Sequence, residues 1–104
     1  MFKARAGMLN FPPDLPLFAG HFPGDPCVPG SLVVEALRRE AERHFPALRV
    51  TEASKFRFRS FLAPGSHPYA LELDEARGTI ACSVGDSGTP SATGLFHVKQ
   101  CRER

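Results

Sequence analysis

The 104-residue chain has no cysteine pair at CxxC spacing, no apolar run of membrane-spanning length and no large excess of either charge. Each shortage removes a class of function. Cys27, Cys82 and Cys101 stand far apart, which argues against a cysteine zinc site and a complete disulfide framework and predicts a reduced, cytoplasmic setting. The opening MFKARAGMLNF lacks the apolar segment of a secretory signal, and no window approaches the ~20 apolar residues of a spanning helix, so no membrane association is expected. A net charge of +2 with dispersed basic residues gives no nucleic-acid footprint. His44, His67 and His97 show no metal-ligand spacing, and each reads as a surface or turn residue. GDSGTPSATG lacks the lysine and following helix of a phosphate loop and reads as a hairpin, and no GxSxG nucleophile elbow occurs.

What is present fits one domain over residues 1–104 with one modest core, small enough that association with another subunit is a natural way to add burial. Residues 2 to 11 alternate loosely and run into PPDLP, which suits a strand ended by prolines. From residue 31 to about 45, Leu32, Val33, Ala36, Leu37, Ala41 and Phe45 recur at three- and four-residue intervals, predicting an amphipathic helix with Arg38, Arg39, Glu42 and Arg43 mainly on the opposite side. The contiguous Leu32, Val33 and Val34 predict a helix start buried on most sides. After a break at FPALRV, ASKFRFRSF alternates, with Phe56 and Phe58 on one face and Lys55, Arg57 and Arg59 on the other, a charged face that is solvated or meets an acidic partner. Turn signals at DEARG and GDSGTP then divide the remainder into strands near 69 to 74, 78 to 84 and 92 to 100. The expected architecture is α+β: about five antiparallel strands, the last four in a meander, wrapped around one central helix.

The densest signal is FAGHFPGDPCVPG, residues 18 to 30. Pro23, Pro26 and Pro29 fix backbone dihedrals while Gly20, Gly24 and Gly30 permit close approach, so the loop holds His21 in one place. Gly30 lies at the start of the helix, where free N–H groups and the helix dipole favour a carbonyl oxygen or an anion. Glu35 follows in the apolar run SLVVEAL. It is either a dipole-stabilised carboxylate on an exposed face or a carboxyl in an apolar pocket, where desolvation raises its pKa and makes it a general acid. Histidine, carboxylate and helix start together make an acid, base and oxyanion set. The plainer readings are a structural histidine, a surface Glu35, Cys27 as a small buried hydrophobe and Ser31 as a residue of the helix cap.

FAGHFPGDPCVPGSLVVEAL resembles the 3-hydroxyacyl-[acyl-carrier-protein] dehydratases of the FabA/FabZ type, whose pattern is GHFPxxPxxPG, an apolar run and then Glu or Asp. Gly20, His21, Phe22, Pro23, Pro26, Pro29 and Gly30 match, Glu35 falls fourteen residues after His21, and KFRFRSFLAPGS resembles the downstream KFRRPVxPGD. The resemblance implies the hotdog fold and a homodimer or hotdog heterodimer with the site at its interface. It implies that His21 takes the α proton of a 3-hydroxyacyl thioester, Glu35 protonates the departing hydroxyl and the Gly30 N–H polarises the thioester carbonyl, with Phe22, Pro29, Ser31, Phe56 and Phe58 around the substrate. Glu35 must then keep its proton near neutral pH. The substrate would arrive on the phosphopantetheine of an acyl carrier protein, with no metal or redox cofactor. Two departures stand out: only about twenty residues precede Gly20, as in compact dehydratases found beside polyketide and aryl polyene synthases, and Arg39 occupies a position where the family often carries Gln. Hydrolysis of acyl thioesters by a hotdog enzyme, or a non-catalytic hotdog subunit paired with an active partner, are the alternative readings.

Overall fold

The computed structural model describes residues 2–11, 28–60, 62–85 and 88–100. The elements in chain order are β1 (Phe2–Phe11), α1 (Gly30–His44), β2 (Leu48–Phe58), β3 (Gly65–Asp74), β4 (Thr79–Gly85) and β5 (Pro90–Gln100). All five strands join one antiparallel sheet of order β1-β3-β4-β5-β2. Strand β3 shows why this sequence makes a one-sided sheet: Tyr69, Leu71 and Leu73 are buried while Ala70 and Glu72 face out, the two-residue period of a pleated strand. Ile80, Cys82 and Val84 of β4 and Ala92 and Phe96 of β5 continue the same buried face. Helix α1 places Val33, Leu37 and Ala41 at four-residue intervals on that core, with Phe45 closing it.

The helix and the strands near 69, 78 and 92 lie where the sequence periodicity puts them, but pairing departs from the expected meander. Only β3, β4 and β5 follow one another; β2 pairs with β5 at one edge, and the chain then crosses to β3, which lies beside β1. Alternation specifies which face of a strand is buried and is silent on its neighbour, so this crossover had no local signal. β2 also begins at Leu48, inside the segment read as a break. Its pairing with β5 slips between Val50 and Glu52 and again between Ser54 and Arg57, each time by one extra residue on β2, and Lys55 in the second bulge has φ 59°. These bulges bend β2 and keep Phe56 and Phe58 facing the helix side.

Two further expectations are corrected. The sheet is not closed around α1, and Leu32, Val34 and Ala36 remain only half-buried, so the start of the helix is not covered on most sides within one chain. Nor does Ser31 cap it: the N-cap residue is Pro29, in an extended conformation with φ −59° and ψ 142°, and its carbonyl accepts from the N–H groups of Leu32 and Val33 at 3.0 and 3.2 Å. Ser31 sits two residues too late, inside the first turn and exposed. No helix of the described residues is long and apolar enough to cross a membrane.

Candidate active site at the start of the helix

Three contacts fix the entry to α1. Val28 is buried and donates its N–H to the Leu62 carbonyl at 2.8 Å, which ties the residue before the helix to the segment after β2. Phe58 then reaches across from β2 so that its ring lies on the backbone of Gly30; a Cβ at position 30 would meet that ring at 3.1 Å. Phe56 stacks behind Phe58 with centroids 6.5 Å apart, leans on the buried Phe96 at 5.3 Å, and lies so close over Gly94 that a Cβ there would fall 2.3 Å from the ring. Closeness of approach thus requires glycine at 94 and favours it at 30, where a methyl would press the Phe58 ring outward. Among the described residues nothing accepts from the Gly30 and Ser31 N–H groups, the orphan donors that the start of any helix presents. Phe58 stays 45 % exposed, an apolar wall beside polar donors.

Glu35 lies in the second turn of α1, past the reach of first-turn dipole stabilisation, on the wall of a groove of about 330 Å³ between the helix and β1. The 8–11 segment of β1 lines the far side of the groove, with Leu32 and Ala36 on the side of Glu35. The carboxyl is 41 % exposed and ion-paired within the helix. Arg38 grips it with both prongs of the guanidinium fork, Nε donating to Oε1 at 2.9 Å and Nη2 donating to Oε2, and Arg39 adds a contact at 3.2 Å. The hydrogen bonds from Arg38 hold the Glu35 carboxyl down to about 2, against the smaller opposing effect of desolvation. The expected proton-retaining Glu35 is therefore not what a single chain presents, because charged donors outweigh apolar surroundings here.

Apolar periodicity puts Arg38 on the solvated side of α1 and gives it no role at the site. Its guanidinium also donates through Nη1 to Glu42 Oε1 at 2.9 Å, and Glu42 Oε2 accepts the Val50 N–H at 2.9 Å. The spacing of Glu35, Arg38 and Glu42, three and four residues apart on one face, was the signal available. At the other end of the helix the buried Tyr69 donates its hydroxyl to Glu40 Oε1 at 2.7 Å and meets His44 Nε2 at 2.8 Å, while Arg43 donates to the same Glu40 oxygen at 2.6 Å. His44 is thus part of a helix-to-sheet tie rather than a free surface residue. His67 meets the Ala63 carbonyl at 2.6 Å and His97 meets Ser54 Oγ at 3.1 Å, both from positions within strands. No group of three or more metal-ligating side chains occurs among the described residues.

Of the sequence-derived site, the structure brings Pro29, Gly30, Phe56 and Phe58 together at the helix entry, with Ser31 on the adjoining turn and Glu35 on the groove one turn further along. His21, Phe22 and Cys27 lie outside the described residues.

One helix laid on a five-stranded antiparallel sheet in this order defines a hotdog domain. The chain belongs to the ApeI-like family, whose model, described as ApeI dehydratase, matches residues 3–94. It is 31 % identical over 113 residues to the 3-hydroxyacyl-[acyl-carrier-protein] dehydratase FabZ of Pelotomaculum thermopropionicum, covering 93 % of this chain and 79 % of that one. The FabZ of Desulforamulus reducens is 34 % identical over 112 residues, covering 94 % and 79 %. Among solved structures, the dehydratase heterocomplex ApeI:P from Xenorhabdus doucetiae superposes with a TM-score of 0.78 at 23 % identity, over 95 % of this chain and 88 % of that one. An uncharacterised protein from Erwinia carotovora subsp. atroseptica gives 0.77 at 21 %, over 98 % and 87 %. These two likenesses establish the fold.

Proposed function

We propose that this hotdog protein dehydrates 3-hydroxyacyl thioesters carried on an acyl carrier protein to trans-2-enoyl thioesters, as part of fatty-acid, polyketide or aryl polyene-type biosynthesis. The observation that carries this reading is the helix entry, where the Phe58 ring lies on Gly30 beside the first-turn N–H groups and the Glu35 carboxyl follows on the next turn of the same helix. His21 removes the α proton, and the electron pair left on the α carbon delocalises into the thioester. The charge that develops on the thioester oxygen is met by the Gly30 N–H, a donor fixed before the reaction begins. Glu35 gives its proton to the 3-hydroxyl; the C3–O bond breaks with its electron pair going to oxygen, water leaves and the new double bond forms between C2 and C3. Proton transfer and hydrogen bonding suffice, so no metal or redox cofactor is required.

The half-exposed Leu32, Val34 and Ala36, together with the exposed Met8 and Phe58, support a second hotdog subunit, identical or not, covering this flank and completing the site. A second reading, a non-catalytic subunit that pairs with an active partner, is favoured by one observation, the ion-paired state of Glu35. Incubation of the purified protein with a 3-hydroxyacyl carrier-protein thioester separates the two. The dehydratase reading expects the 2-enoyl product from this chain, by itself or with the hotdog subunit that completes its site, and its loss in His21→Ala and Glu35→Gln. Turnover that needs an added second protein and survives both substitutions supports the subunit reading instead.

A further inference from the structure

Arg38 stands between two carboxylates of its own helix. Toward Glu35 it is bidentate; toward Glu42 it offers the one remaining prong. The two carboxylates are held differently. Glu42 is anchored outside the helix, since its second oxygen accepts the Val50 N–H at the first bulge of β2, whereas Glu35 faces the groove and has no described partner beyond its own helix. Arg39 also touches Glu35, but through one contact at 3.2 Å from a side chain 74 % exposed, the kind of pair that contributes little. From β1, the groove opposite Glu35 is lined by Met8, Leu9, Asn10 and Phe11, none of which titrates, and Glu40 is the one further charged group of α1 on its wall. Among the described residues, then, the charge state of Glu35 is governed chiefly by where the Arg38 guanidinium points.

Resting on the dehydratase reading above, we propose that Arg38 is a positioning residue that latches the Glu35 carboxyl, and that its guanidinium must swing to Glu42 before Glu35 can donate a proton. Glu35 and Glu42 share the one guanidinium, Glu35 through Nε and Nη2 and Glu42 through Nη1, so Nε and Nη2 are freed for Glu42 only when they leave Glu35. Glu42, fixed by the β2 backbone and already accepting from Nη1, is the pivot on which the guanidinium turns. After Glu35 has given its proton to the departing hydroxyl it is a carboxylate again and the guanidinium returns to it, which resets the site. Arg38 touches no reacting atom in this scheme.

The two arms of the latch predict opposite shifts. In Arg38→Met, the alkaline limb of the kcat–pH profile moves up by about one to three pH units, the size of effect an adjacent opposite charge exerts on a carboxyl. In Glu42→Gln, which removes the competing charge but keeps an oxygen for Val50, the same limb moves down and kcat at neutral pH falls. Arg38→Lys, whose ammonium cannot fork, gives an intermediate limb and stands in for the methionine variant if that one does not fold. Limbs that stay in place, or that shift in the same direction in both variants, overturn the latch, since a purely structural Arg38 lowers rates without moving the profile. A wild type with no turnover sinks the dehydratase reading instead. Carbon-13 titration of the Glu35 carboxyl reads the same two arms without turnover, with a midpoint raised in Arg38→Met and lowered in Glu42→Gln expected, and a midpoint that Glu42→Gln leaves unchanged overturning the latch.

Discussion

At the C-terminal end of α1, Glu40 and His44 converge on the hydroxyl of a buried tyrosine that belongs to the sheet, Arg43 donates to the same Glu40 oxygen, and the Arg5 guanidinium lies 5.1 Å from the centre of the Phe45 ring. At the N-terminal end the polar groups meet, among the described residues, only one another or the neighbouring bulge, and the apolar side chains Leu32, Val34, Ala36 and Phe58 are left partly uncovered. The first arrangement ties helix to sheet with groups that satisfy each other. The second leaves donors and a carboxylate at a surface, which costs stability in a lone domain and is useful only where a ligand or partner arrives. One helix thus has a holding end and a working end, divided at about Glu40.

The sharpest way to test the division is to remove chemistry from the working end. Glu35→Gln is expected to lower kcat for 3-hydroxyacyl thioester dehydration by about 10²- to 10⁴-fold, the contribution of a positioned acid, while lowering the thermal midpoint only by the small share that a partly exposed ion pair contributes. A next, smaller effect comes from Gly94→Ala. The added methyl would fall 2.3 Å from the Phe56 ring, so Phe56 and the Phe58 stacked on it must shift, with a loss of about 1–3 kcal/mol in denaturant titration and a raised KM. Tyr69→Phe acts on the holding end alone, removing the hydroxyl shared by Glu40 and His44; it should cost roughly 1–2 kcal/mol with kcat retained. If Tyr69→Phe lowers kcat as much as Glu35→Gln does, the division is wrong.

Acid sharpens the comparison further, because the carboxyls of both ends are held below their ordinary value of 4.5, Glu35 mainly by Arg38 and Glu40 mainly by Arg43. A depressed folded-state pKa contributes stability above the unfolded value, and that stability is lost as pH falls through the folded one. For Glu35 the loss runs from about 4.5 down to about 2, so denaturant midpoints should decline over that range and decline less in Glu35→Gln. An identical decline in the variant removes the ion pair from the account. The smallest expected effect is at Cys82, whose thiol burial pushes up to about 12: in a Cys27→Ser, Cys101→Ser background the native protein should resist alkylation at neutral pH until it unfolds.

Much of this was legible in the residues. The helix over residues 31 to 45 was set by apolar spacing and begins one residue early at Gly30; β3 and β4 followed from alternation and from the turn at Gly78, which takes φ 67°. The pairing of Phe58 with Gly30 was anticipated only as membership of one site, since nothing local says that a ring near residue 58 rests on a backbone near residue 30. β2 was misread at its start because its two bulges break the period that marks a strand. Ser31 looked like a cap because cap preference is a local statistic, whereas Pro29 takes the position by its fixed φ and extended ψ.

By itself the sequence determined what depends on neighbours along the chain: the period of the helix, the buried face of each strand, the stiffness of the loop before Gly30, and the family that its motif resembles. The tertiary structure decided what depends on neighbours through space. It put β2 at the sheet edge beside β5, laid Phe58 on Gly30, and gave Glu42 an anchor on β2. That anchor turned a run of alternating charges into a guanidinium held between two carboxylates, and the charge state of Glu35 follows from that contact rather than from the apolar residues beside it in the chain. Spacing along a helix tells which groups can meet; which of them do meet, and how strongly, is settled by what the rest of the fold leaves for them to bind.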